Sequence, residues 1–313
     1  MSKGLTTAPF TLELRAQCHW DWKVAFYLYG AGSSAGLIFL ELMLRRWNVI
    51  DEATALWGMW IGLVLALVSL AFLFSHLGPG ARWRFLYVFR KPGTSWIARG
   101  AFIVTVLVLL RILILLPSVP GFTGLPWGEE SGAGAALRLG ALLFAFAFMA
   151  YSGLVLSSWN SIAFWNTPLL PILYIAYSFL AGLGALPLVV LGTHGGEKLA
   201  AVGAVLWPLL LVLLLVSGLL LLIYVWGMAT ATVAARESVR RLVSGAQRGS
   251  FWIGVVGVGL IVPIALIGLA LGPGLGAESA TMPWLVLACG AIQVGGFLLR
   301  DSFLRVGVYG YPV

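Results

Sequence analysis

Long apolar runs separated by short polar breaks set the pattern of this chain. Eight runs of about 20 residues are long enough to cross the roughly 30 Å hydrocarbon core of a bilayer as helices. They lie near residues 24–44, 56–77, 97–116, 135–158, 168–191, 199–227, 252–271 and 282–304. The breaks carry turn chemistry: Gly78-Pro79-Gly80, the stretch from Pro117 to Pro126, Asn166-Thr167-Pro168, the stretch from Gly192 to Gly196, and Gly272-Pro273-Gly274. Thr167-Pro168 reads as a helix N-cap followed by proline at the first helical position. Pro171, Pro187, Pro208 and Pro263 fall inside spans five to seven, where kinks are predicted because neighbouring groups can satisfy the freed carbonyls. The small-residue run Gly30-Ala31-Gly32-Ser33-Ser34-Ala35-Gly36 would let the first helix approach another backbone closely.

Composition agrees. With 61% hydrophobic and 10% charged residues and a mean hydropathy of +1.00, the chain could not cover its apolar surface as a soluble domain. An all-α integral membrane protein follows: eight transmembrane helices in two four-helix bundles, with both termini on one side. Residues 1–22 hold charges and no apolar core segment, so no cleavable signal peptide is expected. The domain reading is a 1–23 segment at the membrane surface, a 24–305 membrane domain and a short 306–313 tail.

Basic residues set the orientation. Fourteen of the nineteen Lys and Arg residues fall on the side of the termini, Arg300 and Arg305 among them, and five on the other. The termini are therefore predicted to be cytoplasmic, in the inner (plasma) membrane. In so apolar a chain, the net charge of +8 points to anionic lipid headgroups or an acidic partner, not to nucleic acid. Only two cysteines occur, Cys18 and Cys289, with no C-x-x-C pair, so the chain cannot ligate an iron–sulfur cluster by itself. Spacing and membrane context argue against a disulfide between them.

One group of polar residues converges on the side of the termini. His76 ends the second span, Asp21 and Lys23 stand at the mouth of the first, and Tyr151 lies about two turns inside the end of the fourth. That set suits a quinone headgroup: its two carbonyl oxygens need donors, and quinol oxidation releases protons that a histidine can relay. The bland readings are an interfacial histidine, an aromatic-belt tyrosine and a snorkelling lysine.

Four stretches carry a likeness to a known family. They are 26-FYLYGAGSSAG-36, 76-HLGPGARW-83 with 92-PGTSWIARGAF-102, 151-YSGLVLSSWNSIAFWNTPLLP-171 and 295-GGFLLR-300. In order and spacing they resemble the polysulfide-reductase membrane-subunit (NrfD-type) family of eight-helix quinone-binding anchors. The resemblance implies that His76 and Tyr151 are quinone-site residues, and that a polar residue in the His19–Lys23 region joins them. Here the position before Phe26 is Ala25, not a polar group, which leaves His19, Asp21 and Lys23 open. The resemblance also implies menaquinone or ubiquinone as cofactor, a ferredoxin-like iron–sulfur partner, and a molybdenum, tungsten or other catalytic subunit. The chain itself would be a non-catalytic or quinone-site subunit of a respiratory oxidoreductase.

The basic loops 79–99 and 228–250 are the predicted docking surface, with Arg82, Arg84, Arg90, Lys91, Arg236, Arg240 and Arg241. No heme is expected, because His194 falls on the face opposite His19 and His76 and no buried histidine pair remains. Glu41 and Arg111, at similar depth near the far ends of the first and third spans, would form an ion pair or part of a proton path. Gln293 is a lesser intramembrane candidate. The competing classes are a secondary transporter, which needs matched broken helices in its two halves, and a structural anchor that binds no quinone.

Overall fold

A computed structural model describes residues 14–90, 93, 95–129, 131–272 and 282–310, without the side chains of 79, 81, 83 and 84. The helices are α1 (Trp22–Arg46), α2 (Glu52–His76), α3 (Pro79–Arg82), α4 (Trp96–Leu115), α5 (Gly132–Ser157), α6 (Leu169–Thr230), α7 (Val233–Val243), α8 (Val262–Leu271) and α9 (Met282–Arg305). A 3-10 segment, Trp83–Arg90, follows α3, and a π-helical segment, Ser250–Ile261, runs into α8. Among the described residues, seven helical stretches are long and apolar enough to cross a membrane. The protein is an all-helical integral membrane protein.

Local chemistry explains where the helices begin. Asp21, Asp51, Ser95, Ser131 and Thr232 each cap a helix by accepting a hydrogen bond from a backbone N–H of its first turn. At α6 the boundary is Pro168, one residue later than the expected cap, and the Thr167 hydroxyl accepts from the Leu169 N–H at 3.3 Å.

The fifth and sixth predicted spans are one 62-residue run, α6, interrupted at Gly195 (φ 75°, ψ −169°). A straight helix of that length would put its ends about 90 Å apart. Yet the Tyr224 hydroxyl donates to the Phe164 carbonyl, just before the start of α6. The run therefore doubles back at Gly195, whose backbone geometry is open essentially to glycine alone. Pro187 and Pro208 stay inside the helix, as expected for kinks. Pro263 lies where the π-helical turns give way to α8.

α1 packs against α2, α5, α6 and α9. One group of helices comprises α1, α2, α4 and α5; the other comprises α6, the 250–271 segment and α9. The small-residue run works as expected. A β-carbon at Gly36 would overlap the Ser178 carbonyl of α6, and one at Gly182 would overlap the Gly36 backbone. The described parts of the two tails are tied together. Ala16 and Val308 form an antiparallel bridge, Gln17 N–H donates to Gly307 O at 2.9 Å and Tyr309 N–H to Arg15 O at 2.9 Å. The start of α1 and the end of α9 therefore share one end of the bundle. Cys18 is exposed and Cys289 buried, and neither is in a disulfide.

At the opposite end, Asp51 caps α2 and also holds the α6 turn. Its carboxylate is 2.9 Å from His194 Nε2 and 3.7 Å from Lys198 Nζ. Partial burial alone would raise its pKa, but hydrogen bonds from Thr54 and the neighbouring His194 lower it from 3.8 to about 2. A carboxylate depressed in this way stabilises the fold above its ordinary value and ceases to do so as pH falls through about 2. Asp51→Ala is therefore expected to lower Tm at neutral pH, by the equivalent of about 1 kcal/mol for the cap alone. The gap to wild type should narrow between pH 4 and pH 2. A gap that stays constant to pH 2 in thermal melts of the detergent-solubilised protein would contradict this role.

Candidate functional site

The end of the bundle that holds the tails carries two tiers of polar contacts. The outer tier pairs α1 with α2. Asp21 Oδ1 accepts from the Lys23 N–H at 3.0 Å and stands 3.2 Å from Nδ1 of His76, the last residue of α2. Both side chains are partly exposed, so the pair sits at the rim. Aromatic rings line the α1–α2 seam beneath it: Phe72 packs against Phe26 at 4.3 Å and Trp22 at 5.7 Å between centroids.

The inner tier pairs α1 with α5. Tyr151 is buried, and its hydroxyl lies beside that of Tyr27. Five residues separate Tyr27 from the start of α1, and six separate Tyr151 from the end of α5, so this pair lies about 8–9 Å inside the helix ends. A β-carbon at Gly100 of α4 would overlap the Tyr151 ring, so Gly100 makes room for it. Phe148 stacks on the same ring at 6.3 Å and 13°.

Of the three residues left open at the mouth of α1, Asp21 is the one that meets His76. His19 is exposed, with its backbone N–H on Gln17 Oε1, and Lys23 is half-buried. Sequence reasoning missed Tyr27, although it lies within the 26–36 stretch. Nothing in that stretch distinguishes it from the flanking Phe26 and Tyr29.

Arg300 is a buried member of the basic set counted from the sequence. Its place in the chain groups it with the charges on the side of the termini, but it is fully buried in α9. Its guanidinium lies over the rings of Tyr174 and Tyr177 at 4.9 and 5.6 Å. It donates to the carbonyls of Gly296 at 3.2 Å and Tyr174 at 3.5 Å. Its Nε and the hydroxyls of Tyr174 and Tyr177 have no hydrogen-bond partner among the described residues. Gln293 accepts from Tyr29 at 2.8 Å and donates to Ala181 O at 3.0 Å, so it joins α1, α9 and α6.

Near the other end, Arg111 Nη1 donates to Glu41 Oε1 at 2.7 Å with both side chains fully buried, the pairing expected from their depths. Glu41 Oε2 and two nitrogens of Arg111 find no further partner among the described residues. Above the pair, a cavity of about 830 Å³ opens at the ends of α1, α2, α4 and α5, away from His76 and Tyr151.

The described docking residues make local contacts. Arg82 Nε donates to Leu77 O at 3.2 Å, Arg90 lies 4.4 Å over the Tyr87 ring, and Arg236 Nε donates to Ala229 O at 3.2 Å. Arg240 and Arg241 both bind Glu237, at 2.6 and 3.0 Å. The Arg240 hydrogen bond, with Arg241 beside it, holds that carboxyl at about 2. Lys91 lies outside the described residues, as does the Arg84 side chain.

Removing one partner of a buried ion pair strands the other charge, at a cost of about 3–5 kcal/mol. Arg111→Met alone should therefore destabilise the protein strongly. Arg111→Met with Glu41→Leu should recover most of the loss in thermal melts. A double variant no better than the single one would show that the pair is needed for more than mutual neutralisation.

Comparison with known proteins covers nearly the whole sequence. The family described as "Polysulphide reductase, NrfD" matches residues 11–309. The protein is 27% identical to Protein NrfD of Escherichia coli over 310 residues, covering 92% of this chain and 94% of that protein. It is 28% identical to the C component of polysulfide reductase from Wolinella succinogenes over 312 residues, with the same coverage. A NrfD homolog of Haemophilus influenzae is 24% identical over 269 residues, 78% of this chain and 82% of that one.

Proposed function

The chain belongs to the polysulphide reductase NrfD family, and on that premise we propose that it is the quinone-binding membrane subunit of a respiratory oxidoreductase complex. The observation that carries the reading is the placement of two polar tiers, Asp21–His76 and Tyr27–Tyr151, at the end of the bundle that holds the tails. A quinone bound there supplies two-electron, two-proton chemistry at the membrane surface. The residues present fit such a headgroup. The two tyrosine hydroxyls lie side by side and can each donate, and aromatic rings line the adjoining α1–α2 seam.

Each side chain has a role in this reading. Tyr151 donates to a carbonyl oxygen, with Tyr27 setting the direction of its hydroxyl. Gly100 and Phe148 hold the ring in place. His76 takes up or delivers a proton at Nε2, while Asp21 orients the imidazole through Nδ1. The half-exposed rim gives that proton a way to bulk water. The Wolinella relative is named as one component of a polysulfide reductase, which fits an arrangement in which electrons leave through a separate catalytic subunit.

An iron–sulfur subunit docks over this end in the same reading, on the surface bearing Arg82, Arg90 and Arg236. The excess of basic residues there makes the docking face cytoplasmic. The family relationship favours this function over a solute transporter. The α6 break supports the same choice, since Gly195 lies beside Asp51 at a helix end, not at mid-membrane.

The test is quinol-linked turnover by the assembled complex. His76→Ala is expected to lower turnover by about 100-fold, the lower range for a positioned proton-transfer group. Tyr151→Phe should raise KM for quinol with a smaller effect on kcat. Wild-type kinetics in both variants, with all subunits retained, would remove the quinone site from this end.

A further inference from the structure

The cavity at the end opposite the tails has both charged and apolar residues in its lining. Arg45, Arg46 and Arg138 line it together with Glu52 and Glu129, and so do the apolar Leu42, Met59 and Leu142. Its volume of about 830 Å³ falls in the range of small-molecule sites. We propose that this cavity binds the phosphate headgroup of an anionic phospholipid from the adjoining leaflet, with an acyl chain laid over the apolar lining residues.

Three independent observations support this. First, the charge is out of place for topology. Only five Lys and Arg residues fall on this side of the chain, and three of them line one cavity. Insertion needs no cations here, and the positive-inside pattern disfavours them.

Second, the arginines of the lining are partly held in place. Arg45 Nε is 3.2 Å from Glu129 Oε1, and Arg138 Nη1 donates to the Glu129 carbonyl at 3.2 Å. Trp127 Nε1 donates to Leu113 O at 2.9 Å and fixes the loop that carries Glu129. Arg46 is exposed and has no ion-pair partner among the described residues. Two anchored guanidiniums and one free one suit a phosphodiester, whose oxygens accept paired N–H donors.

Third, the cavity sits at headgroup depth. Arg45 and Arg46 close α1 and Glu52 opens α2, while Trp47 and Trp57 stand exposed nearby at 63% and 56%. Exposed tryptophans at helix ends mark the boundary between headgroups and hydrocarbon. A free anion would use only the arginines. A lipid uses the arginines and the apolar residues together.

The experiment titrates the purified full-length protein, in neutral detergent, with phosphatidylglycerol, phosphatidylcholine or inorganic phosphate, and follows Tm. Phosphatidylglycerol is expected to raise Tm saturably; the other two are not. Arg46→Ala, an exposed substitution that leaves the held arginines in place, should weaken the phosphatidylglycerol midpoint by about tenfold, the loss of one charge-assisted contact. Arg46→Lys should recover part of it, and Arg248→Ala on the opposite end should leave it unchanged. A shift equally large with inorganic phosphate would replace the lipid by a free anion. An equal shift with phosphatidylcholine, or one untouched by Arg46→Ala, would overturn the site. None of these outcomes depends on the quinone reading.

Discussion

Close approach of α1 to α6 at Gly36 and Gly182 is the contact around which the architecture is arranged. In hydrocarbon, apolar side chains gain little by leaving lipid for one another, so helices associate by packing and by short polar contacts. A run of seven residues no larger than serine lets α1 sit against α6 on one side while keeping α2 and α5 on others. A larger side chain at Gly36 would push against the Ser178 carbonyl, and the two helix groups would separate along this seam.

That central position explains why α1 carries so much of the polar chemistry. Asp21 meets His76 of α2, Tyr27 meets Tyr151 of α5, Tyr29 meets Gln293 of α9, and Glu41 meets Arg111 of α4. Each of these side chains on the hub is matched by one from a different helix, so each contact also fixes a helix in register. Arg300 is the exception in kind. Its charge faces tyrosine rings and carbonyl oxygens, with no carboxylate in contact among the described residues, and three buried polar atoms around it remain unpaired. Such a site costs stability and persists only where the surrounding packing enforces it.

Much of this was legible in the chain. Apolar run length and glycine–proline breaks marked the helices, and the small-residue run announced the close approach of α1. Depth counting alone paired Glu41 with Arg111, because a charge at that level has few other ways to be satisfied. Three features resisted. Tyr27 could not be told from its aromatic neighbours, since helical facing depends on which partner packs where. The sequence counts Arg300 with the other basic residues on the side of the termini, and only the packing of α6 over it shows the burial. The amphiphilic cavity is formed by four helix ends and a loop that are far apart in sequence, so its three arginines had no local pattern to connect them.

Placement of the quinone headgroup at the end of the bundle shared by the tails is tested most directly by photolabelling. The assembled complex would be labelled with an azido-quinone and its peptides identified by mass spectrometry. Label is expected on the α1 and α5 peptides that contain Tyr27 and Tyr151, suppressed by excess unlabelled quinone. Competed label on the peptides of the opposite cavity, around Arg46 and Arg138, would contradict that placement.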